Sequence, residues 1–276
     1  MAFDSLQLAV YLLISLLGLC FGSFVNSWMW RVKNTREKIG RRSVCVHCGE
    51  KIIWYDNIPL FGFLRLRGLS RCCRRPIPQD YFWVELAGGF LFLLVALYHL
   101  NLVIFNPVFF ARDLFFICIL LVIFLYDAKY QLILTGVVAA GGLGGFIFNL
   151  FTARPFTTYI LLFNHNAAAI ASNLALGAIV GWGWFAFQYY ASRGKWVGGG
   201  DVRLGAMLGL WLGWPLILVC LFFSYILGAL VAVPLLILKK KQFGSALPFG
   251  TFLAVGAVIT IFYGQPIFNW YLRFLG

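Results

Sequence analysis

The sequence predicts an all-α membrane protein with about eight transmembrane helices and a cytoplasmic, cysteine-containing insertion after the first of them. Hydrophobic residues make up 62% of the 276 residues and charged residues only 11%, whereas a soluble domain carries about 25% charged residues. The apolar residues form runs of about 20, the length of a helix that crosses the hydrocarbon core of a bilayer. One long polar stretch, residues 31–80, follows the first apolar run.

The first element is predicted to be a retained transmembrane helix over residues 8–30. It has no basic segment before it, it is longer than the apolar core of a secretory signal, and its positive charge follows the apolar run. The predicted domain organisation is therefore a first transmembrane helix (1–30), a cytoplasmic insertion (31–80) and a multi-helix transmembrane part (81–276).

The charge of the insertion sets the predicted orientation. Residues 31–80 contain twelve Lys or Arg residues and four acids, and basic residues beside membrane spans remain on the cytoplasmic side. The N-terminus is then expected on the outer side. In a soluble protein a net charge of +13 would suggest a nucleic-acid partner. Here the basic residues cluster beside apolar runs, which favours contact with membrane lipids, and we expect no nucleic acid.

The remaining apolar runs predict further spans that alternate in direction. These spans are expected over residues 81–100, 107–126, 131–150, 167–190 and 251–274, with an external loop over residues 152–166. The run from 204 to 238 is too long for a single span. Gly213, Trp214 and Pro215 interrupt it and predict a short helix followed by a longer one.

Two isolated acids are the strongest functional signal in the sequence. From residue 114 onward, Asp127 and Asp201 are the only acidic residues, and each lies where an apolar run meets the cytoplasmic face. An ionisable side chain at membrane depth is costly and therefore predicts a function. Two neighbouring carboxyl groups cannot both ionise easily, which provides a general acid and a general base for one water, the chemistry of an aspartic protease.

Roles outside proteolysis remain open for the two acids. Asp127 could pair with Lys129, and Asp201 could cap its helix. The pair could also relay protons or bind a cation in a transporter. Protease classes that do not use aspartate are disfavoured, because no histidine has a nucleophile and an orienting acid at the same depth and no His-Glu metal motif is present.

Three glycines precede the second acid: Gly198, Gly199 and Gly200. Glycine adopts φ > 0 readily and lets another backbone approach closely. A membrane-embedded substrate helix must unwind before cleavage, and a strand-like glycine edge could receive the unwound peptide. The three glycines are therefore candidate substrate-binding residues, with a flexible linker as the alternative.

Four of the seven cysteines lie in the insertion. Cys45 and Cys48 form a CxxC pair typical of zinc sites, whereas Cys72 and Cys73 are adjacent. We expect a structural zinc bound by Cys45, Cys48 and Cys73, with Cys72 or His47 as the fourth ligand. Reduced thiols without metal are the alternative, and a disulfide is disfavoured in the cytoplasm. The remaining three cysteines lie in apolar runs and are expected to be inert packing residues: Cys20, Cys118 and Cys220.

Five motifs resemble the type IV prepilin peptidase family and occur in that family's order. They are FGSFVN (21–26), DNIPL (56–60), GGGDVRL (198–204), LGLWLGW (208–214) and PFGTFLA (248–254). The third is similar to the family's GxGD motif. A single glycine-aspartate match would be weak, whereas five motifs in register across nearly the whole chain are specific.

The resemblance implies a bacterial inner-membrane aspartic endopeptidase that cleaves the leaders of type IV prepilins or type II secretion pseudopilins. It implies Asp127 and Asp201 as the catalytic pair at the cytoplasmic face, with a periplasmic N-terminus. It also implies N-methylation of the new N-terminus with S-adenosylmethionine, for which Asp56, Asn57 and Glu85 are the candidate cofactor-binding residues. A peptidase without methyltransferase activity is the alternative.

The chain departs from the family pattern in two places. Leu134 and Thr135 stand where the family often has a proline and then an acid after the first aspartate. In the insertion, Ser70 falls at the third cysteine of the family and Cys73 at the fourth, so Cys72 is an additional cysteine.

Overall fold

The computed structural model describes residues 5–33, 43–100, 105–152, 167–239 and 247–275. These ranges contain nine α-helices and no β-strand. The helices are α1 (Ser5–Lys33), α2 (Phe61–Arg65), α3 (Gln79–Leu100), α4 (Pro107–Tyr130), α5 (Thr135–Thr152), α6 (Ala167–Ser192), α7 (Gly199–Leu212), α8 (Leu216–Ile237) and α9 (Phe249–Leu275). A short 3-10 helix, Trp54–Asn57, precedes α2.

The predicted all-α membrane fold is confirmed. Seven of the described helices are long and apolar enough to cross a membrane: α1, α3, α4, α5, α6, α8 and α9. The eighth predicted helix is α7, which has 14 residues and ends at the predicted break. Gly213 follows it with φ of 68°, and α8 begins at Leu216. The external loop predicted over 152–166 lies, from residue 153 onward, outside the described residues.

The ends of α4 are defined by local signals. The side chain of Asn106 accepts hydrogen bonds from the N–H groups of Val108 and Phe109, and Pro107 occupies the first turn. At the other end, Gln131 adopts the left-handed conformation, and its N–H donates to the carbonyl oxygen of Asp127 at 2.8 Å. Asp127 therefore lies in the last turn of α4.

The chain divides into two compact units, Met1–Phe105 and Asn106–Gly276. In the first unit α1 packs along α3, and Val25 of α1 and Val95 and Ala96 of α3 are fully buried. The polar insertion connects these two helices. It carries two short turns closed by isolated β-bridges, Val44 with Lys51 and Leu69 with Pro76.

In the second unit α7 is the central helix. It packs against α5, α6, α8 and α9, and most of its residues are buried. The contact with α6 is close because a Cβ atom at Gly205 would lie 2.5 Å from the carbonyl oxygen of Gly181. At the far end of α7 the indole of Trp211 stacks on Phe116 of α4, with ring centroids 4.0 Å apart. These contacts hold the helix that carries Asp201.

Candidate functional sites

Asp127 is held by the first turn of α9. Its side chain is buried, and its Oδ2 accepts the N–H of Thr251 at 3.0 Å. A Cβ atom at Gly250 would lie 2.9 Å from the same oxygen, so glycine is needed for this close approach. The carboxyl group thus lies at the N-terminus of α9, where the helix dipole favours negative charge.

Asp201 is held in the first turn of its own helix. It is the third residue of α7, it is buried, and its Oδ2 accepts the N–H of Gly198 at 3.1 Å. This hydrogen bond is the reciprocal half of a capping box. The N-cap is Gly198 and not Asp201, so the capping alternative holds only in this reciprocal form, which fixes the carboxyl group at the helix start.

The two acids are brought together by Ile133 in the loop between α4 and α5. A Cβ atom at Gly200 would lie 2.9 Å from the Ile133 Cβ, and one at Gly250 would lie 3.0 Å from its Cδ1. The starts of α7 and α9 therefore meet on one side chain close to the end of α4. Asp127 lies against Gly250 and Asp201 directly follows Gly200, so both acids lie beside the Ile133 side chain. Two adjacent buried carboxyl groups can act as an acid–base pair on one water.

The three glycines differ from the sequence-based expectation. The expectation of φ > 0 is wrong: Gly198 is extended, with φ of −77°, and Gly199 and Gly200 form the first helical turn of α7. The steric requirement is local to Gly200, because its missing side chain leaves room for Ile133. A Cβ atom at Gly199 would make only an ordinary contact, 3.9 Å from Tyr189.

An arginine connects α7 to the start of α5. The Arg203 guanidinium donates to the Thr135 hydroxyl and, through Nε, to the carbonyl oxygen of Gly199 at 3.2 Å. Thr135 stands where the resemblance to the peptidase family implies an acid. Here its hydroxyl is the hydrogen-bond acceptor for Arg203, so the connection between α5 and α7 is made without a carboxylate.

In the first unit, the two turns of the insertion repeat one hydrogen-bond pattern. The N–H of Cys45 donates to the carbonyl of Glu50, and the N–H of Ser70 donates to that of Arg75. By this correspondence Ser70 takes the place of Cys45, Cys72 that of His47, and Cys73 that of Cys48. The second turn therefore has no CxxC pair, because Ser70 stands where the first turn has Cys45.

All four cysteines of the insertion converge, including Cys72. Their Sγ atoms lie within 4.8 Å of one another, with 3.9 Å between Cys45 and Cys73 and 3.1 Å between Cys48 and Cys72. Tetrahedral zinc with Zn–S bonds of about 2.3 Å places its sulfurs about 3.8 Å apart, so the group has the dimensions of a zinc site. Burial would raise the pKa of the Cys45 thiol, but the N–H groups of His47 and Cys48 lower it to about 6.

His47 lies outside this thiol group. Its Nε2 forms a hydrogen bond with the carbonyl oxygen of Pro76 at 3.1 Å. Ser70, at the family's third cysteine, has its hydroxyl 3.0 Å from the Cys73 Sγ. Of the two candidates for a fourth ligand, the geometry favours Cys72 over His47.

A cavity of about 430 Å³ lies beside the cysteines in the first unit, and Asp56, Asn57 and Glu85 all line it. Its size suits a small organic ligand. The Asp56 carboxylate is paired with Arg71 through hydrogen bonds of 2.6 and 2.8 Å, and this guanidinium lowers the pKa of Asp56. Glu85 is buried and accepts the N–H of Leu60 at 2.8 Å. The three residues predicted to bind the cofactor are thus gathered at one cavity.

Sequence reasoning missed several residues of the candidate active site. Ile133, Gly250 and Thr251 contact the catalytic candidates or their helices, and none was assigned a role. The motif at 248–254 was the available signal for two of them. Nothing in the residue types of Ile133 and its neighbours indicated that two helix starts would meet there.

Two family models match the chain. Residues 16–99 match the Bacterial Peptidase A24 N-terminal domain, and residues 114–233 match the Type IV leader peptidase family. No solved structure matches.

Relatives resemble the chain over most of its length. A protein of Pseudomonas aeruginosa is 30% identical over 98% of this chain and 96% of its own length. One of Klebsiella pneumoniae is 35% identical over 71% of this chain and 82% of its own length. One of Pseudomonas putida is 28% identical over 96% of this chain and 94% of its own length. Each is named prepilin leader peptidase/N-methyltransferase.

Proposed function

The chain belongs to the type IV leader peptidase family, and from this premise we propose that it is a bacterial inner-membrane enzyme that cleaves the leaders of type IV prepilins or type II secretion pseudopilins and N-methylates the new N-terminus. The observation that carries the proposal is the pair of buried carboxyl groups, Asp127 and Asp201, at one meeting point of helix ends. The family match and the relatives favour peptide cleavage over a transporter site.

The proposed cleavage uses the two acids as a pair. The ionised carboxyl group takes a proton from a water molecule while the water oxygen attacks the peptide carbonyl carbon, and the protonated partner donates a hydrogen bond to the carbonyl oxygen. The C–N bond of the resulting tetrahedral intermediate then breaks, and the carboxyl group that took the proton from water donates it to the departing amine nitrogen. The N–H groups of Thr251 and Gly198 each occupy one carboxylate oxygen and so fix the orientation of the other. Gly198, Gly199 and Gly200 are proposed to lie beside the unwound segment of the substrate.

The active site is proposed to lie at the cytoplasmic face, with the N-terminus in the periplasm. This orientation is supported by charge: Lys129 follows Asp127, Arg193 and Lys195 precede Asp201, and residues 31–80 are strongly basic. The leader of the precursor would then stay in the cytoplasm, its apolar stem would remain in the lipid, and the depth of the acids would select the bond that is cut.

The insertion of residues 31–80 is proposed as the methyltransferase part, and residues 81–276 as the protease part. A structural zinc bound by Cys45, Cys48, Cys72 and Cys73 would stabilise an insertion with few apolar residues. The cavity lined by Asp56, Asn57 and Glu85 is the proposed site of S-adenosylmethionine, which supplies an electrophilic methyl group when bound.

The test is an assay of both reactions on the purified full-length protein. Incubation with a purified prepilin and S-adenosylmethionine carrying a labelled methyl group should yield the cleaved, labelled product. Asp127→Asn and Asp201→Asn should each lower cleavage by at least about 100-fold, because an amide cannot exchange the proton. The Asn oxygen still accepts the N–H of Thr251 or Gly198, so thermal unfolding should change little.

Each alternative gives a different result in the same assay. A peptidase without methyltransferase activity cleaves the prepilin and leaves it unlabelled. A transporter leaves the prepilin intact. Full cleavage by either Asn variant would contradict the aspartic mechanism and show that the two acids have another role.

A further inference from the structure

Glu85 is a buried acid whose charge is not neutralised by an ion pair in the described part of the chain. It lies near the start of α3, it is 7% exposed, and it lines the cavity proposed for the methyl donor. It accepts a hydrogen bond from the Leu60 N–H, and it forms no ion pair with any residue that the structure describes. Asp56 lines the same cavity, but Arg71 already neutralises it. Glu85 is therefore the buried carboxyl group of this cavity that remains available to a cation.

The backbone around Leu60 is built to hold this carboxyl group. Leu60 has φ of 59° and ψ of −46°, a conformation that is costly for a leucine. The turn persists because α2 packs directly on the 3-10 helix: a Cβ atom at Gly62 would lie 2.0 Å from the carbonyl oxygen of Asp56. The strained turn aims the Leu60 N–H at Glu85 Oε2 and so fixes the carboxyl group at the cavity wall.

We propose that Glu85 binds the α-ammonium group exposed by leader cleavage and accepts one proton from it. The proposal rests on the proposed methyltransferase function and names the group that this site recognises. An ammonium nitrogen has no free lone pair, so it must lose a proton before it can bond to carbon. One N–H bond breaks and one O–H bond forms on Glu85, which leaves a neutral amine and a neutral carboxyl group. Because Glu85 is buried, the transfer removes two opposite charges together from a position shielded from water.

The other cation expected at this cavity is the sulfonium of the methyl donor. A sulfonium sulfur carries no proton, so a proton acceptor beside it would have no role in its chemistry. An ammonium group needs a proton acceptor, and it can donate hydrogen bonds to the carboxylate lone pairs that Leu60 leaves free. The chemistry of the group therefore favours the amine as the ligand of Glu85.

The test measures peptide binding to the full-length protein without the methyl donor. The probes are two synthetic peptides with the sequence of a mature pilin N-terminus, one with a free α-amine and one acetylated. We expect the wild type to bind the free amine about tenfold or more tightly than the acetylated peptide, as for one hydrogen-bonded charge pair. Glu85→Gln should bind both equally, and its amide oxygen still accepts the Leu60 N–H. Glu50→Gln, a substitution of an exposed acid on the same cavity, should retain the preference.

Two results of the peptide-binding test would overturn the role of Glu85. One is a Glu85→Gln variant that keeps the preference for the amine, and the other is a Glu50→Gln variant that loses it to the same degree. Binding of S-adenosylmethionine, measured separately, should be similar in Glu85→Gln and wild type. Its selective loss would assign the carboxyl group to the donor instead. The proposed methyltransferase function fails separately, if the wild type leaves the cleaved prepilin unlabelled in the assay of both reactions described above. A Glu85→Gln variant that labels the prepilin as fast as the wild type would refute the role of this residue alone.

Discussion

At the residue scale, the two candidate acids are fixed by backbone groups, and neither forms an ion pair with any residue in the described ranges. Thr251 and Gly198 each donate one N–H to a carboxylate oxygen. A backbone donor does not titrate and cannot be displaced by salt, so the geometry of the pair does not depend on counterions. The small residues beside the acids then become decisive, because they set how closely the helix starts approach.

The glycine before Asp201 gives a residue-scale prediction. Gly200→Ala places a methyl group 2.9 Å from the Ile133 Cβ, which must move away from the start of α9 as well. We expect cleavage to fall by about tenfold or more, since small misplacements of reacting groups cost up to about 10²-fold. Gly199→Ala is the matched variant, because its Cβ meets nothing closer than 3.9 Å.

The comparison of these two variants separates activity from stability. Gly199→Ala should keep or raise the thermal midpoint, since Ala favours a helix over Gly by up to about 1 kcal/mol. Its loss of cleavage should be much smaller than that of Gly200→Ala. Equal cleavage by the two variants would show that the contact with Ile133 does not hold the site. Initial rates on a prepilin and thermal unfolding in the same detergent provide both measurements.

At this scale the sequence predicted the two acids but not the residues that hold them in place, such as Thr251 and Ile133. Asp127 and Asp201 stand out because charge is costly in an apolar chain. Thr251 acts through its backbone N–H, which every residue except proline has, so its residue type carries no signal. Ile133 looks like any other apolar residue until two distant helix starts meet on it. The expectation of a strand-like edge was wrong for Gly199 and Gly200, because these two residues begin a helix.

At the element scale, the two turns of the insertion show how an altered motif keeps four thiols together. Cys72 and Cys73 lie in one tight turn, and Arg74 follows in the left-handed conformation with φ of 52°. Gly49 adopts the same conformation in the first turn. The sequence predicted the first pair from its CxxC spacing. For the second pair it predicted Cys73 and left the choice between Cys72 and His47 open, because the spacing does not show that a tight turn lets adjacent side chains reach the same point.

Metal content provides the element-scale prediction. The purified protein should contain about one zinc per chain, in line with a four-thiolate site. Cys72→Ser should lower the zinc content to the same low level as Cys48→Ser. His47→Ala should retain the metal, because His47 bonds to Pro76 and not to the thiol group. Elemental analysis after gel filtration decides this, and a loss of zinc in His47→Ala with retention in Cys72→Ser would reverse the ligand assignment.

At the scale of the whole molecule, the candidate sites are divided between the two compact units. The cysteine cluster and the cavity with Glu85 belong to residues 1–105, and the acid pair belongs to residues 106–276. The helical class and the order of the spans were predictable because runs of apolar residues and breaks such as Gly213 are local. The grouping of α3 with α1 was not, because it depends on side-chain packing between distant segments.

Labelling from one side of the membrane tests the proposed orientation. Cys48 and Cys72 are exposed and should react with a membrane-impermeant maleimide, after zinc is chelated, only when spheroplasts are permeabilised. Arg273→Cys, at the exposed far end of α9, should react in intact spheroplasts. The opposite pattern would place the acids on the periplasmic side and contradict the proposed fate of the leader.

The hydrogen bond between Asp127 and Thr251 also has a consequence for synthesis and membrane insertion of the chain. The two residues are 124 positions apart, and Thr251 lies in the first turn of the last described helix. While the nascent chain is being threaded into the bilayer, α4 through α8 can be in place and the first acid still lacks its partner. Proteolytic competence is therefore expected to arrive abruptly with α9, which would protect neighbouring nascent membrane proteins from a half-assembled protease.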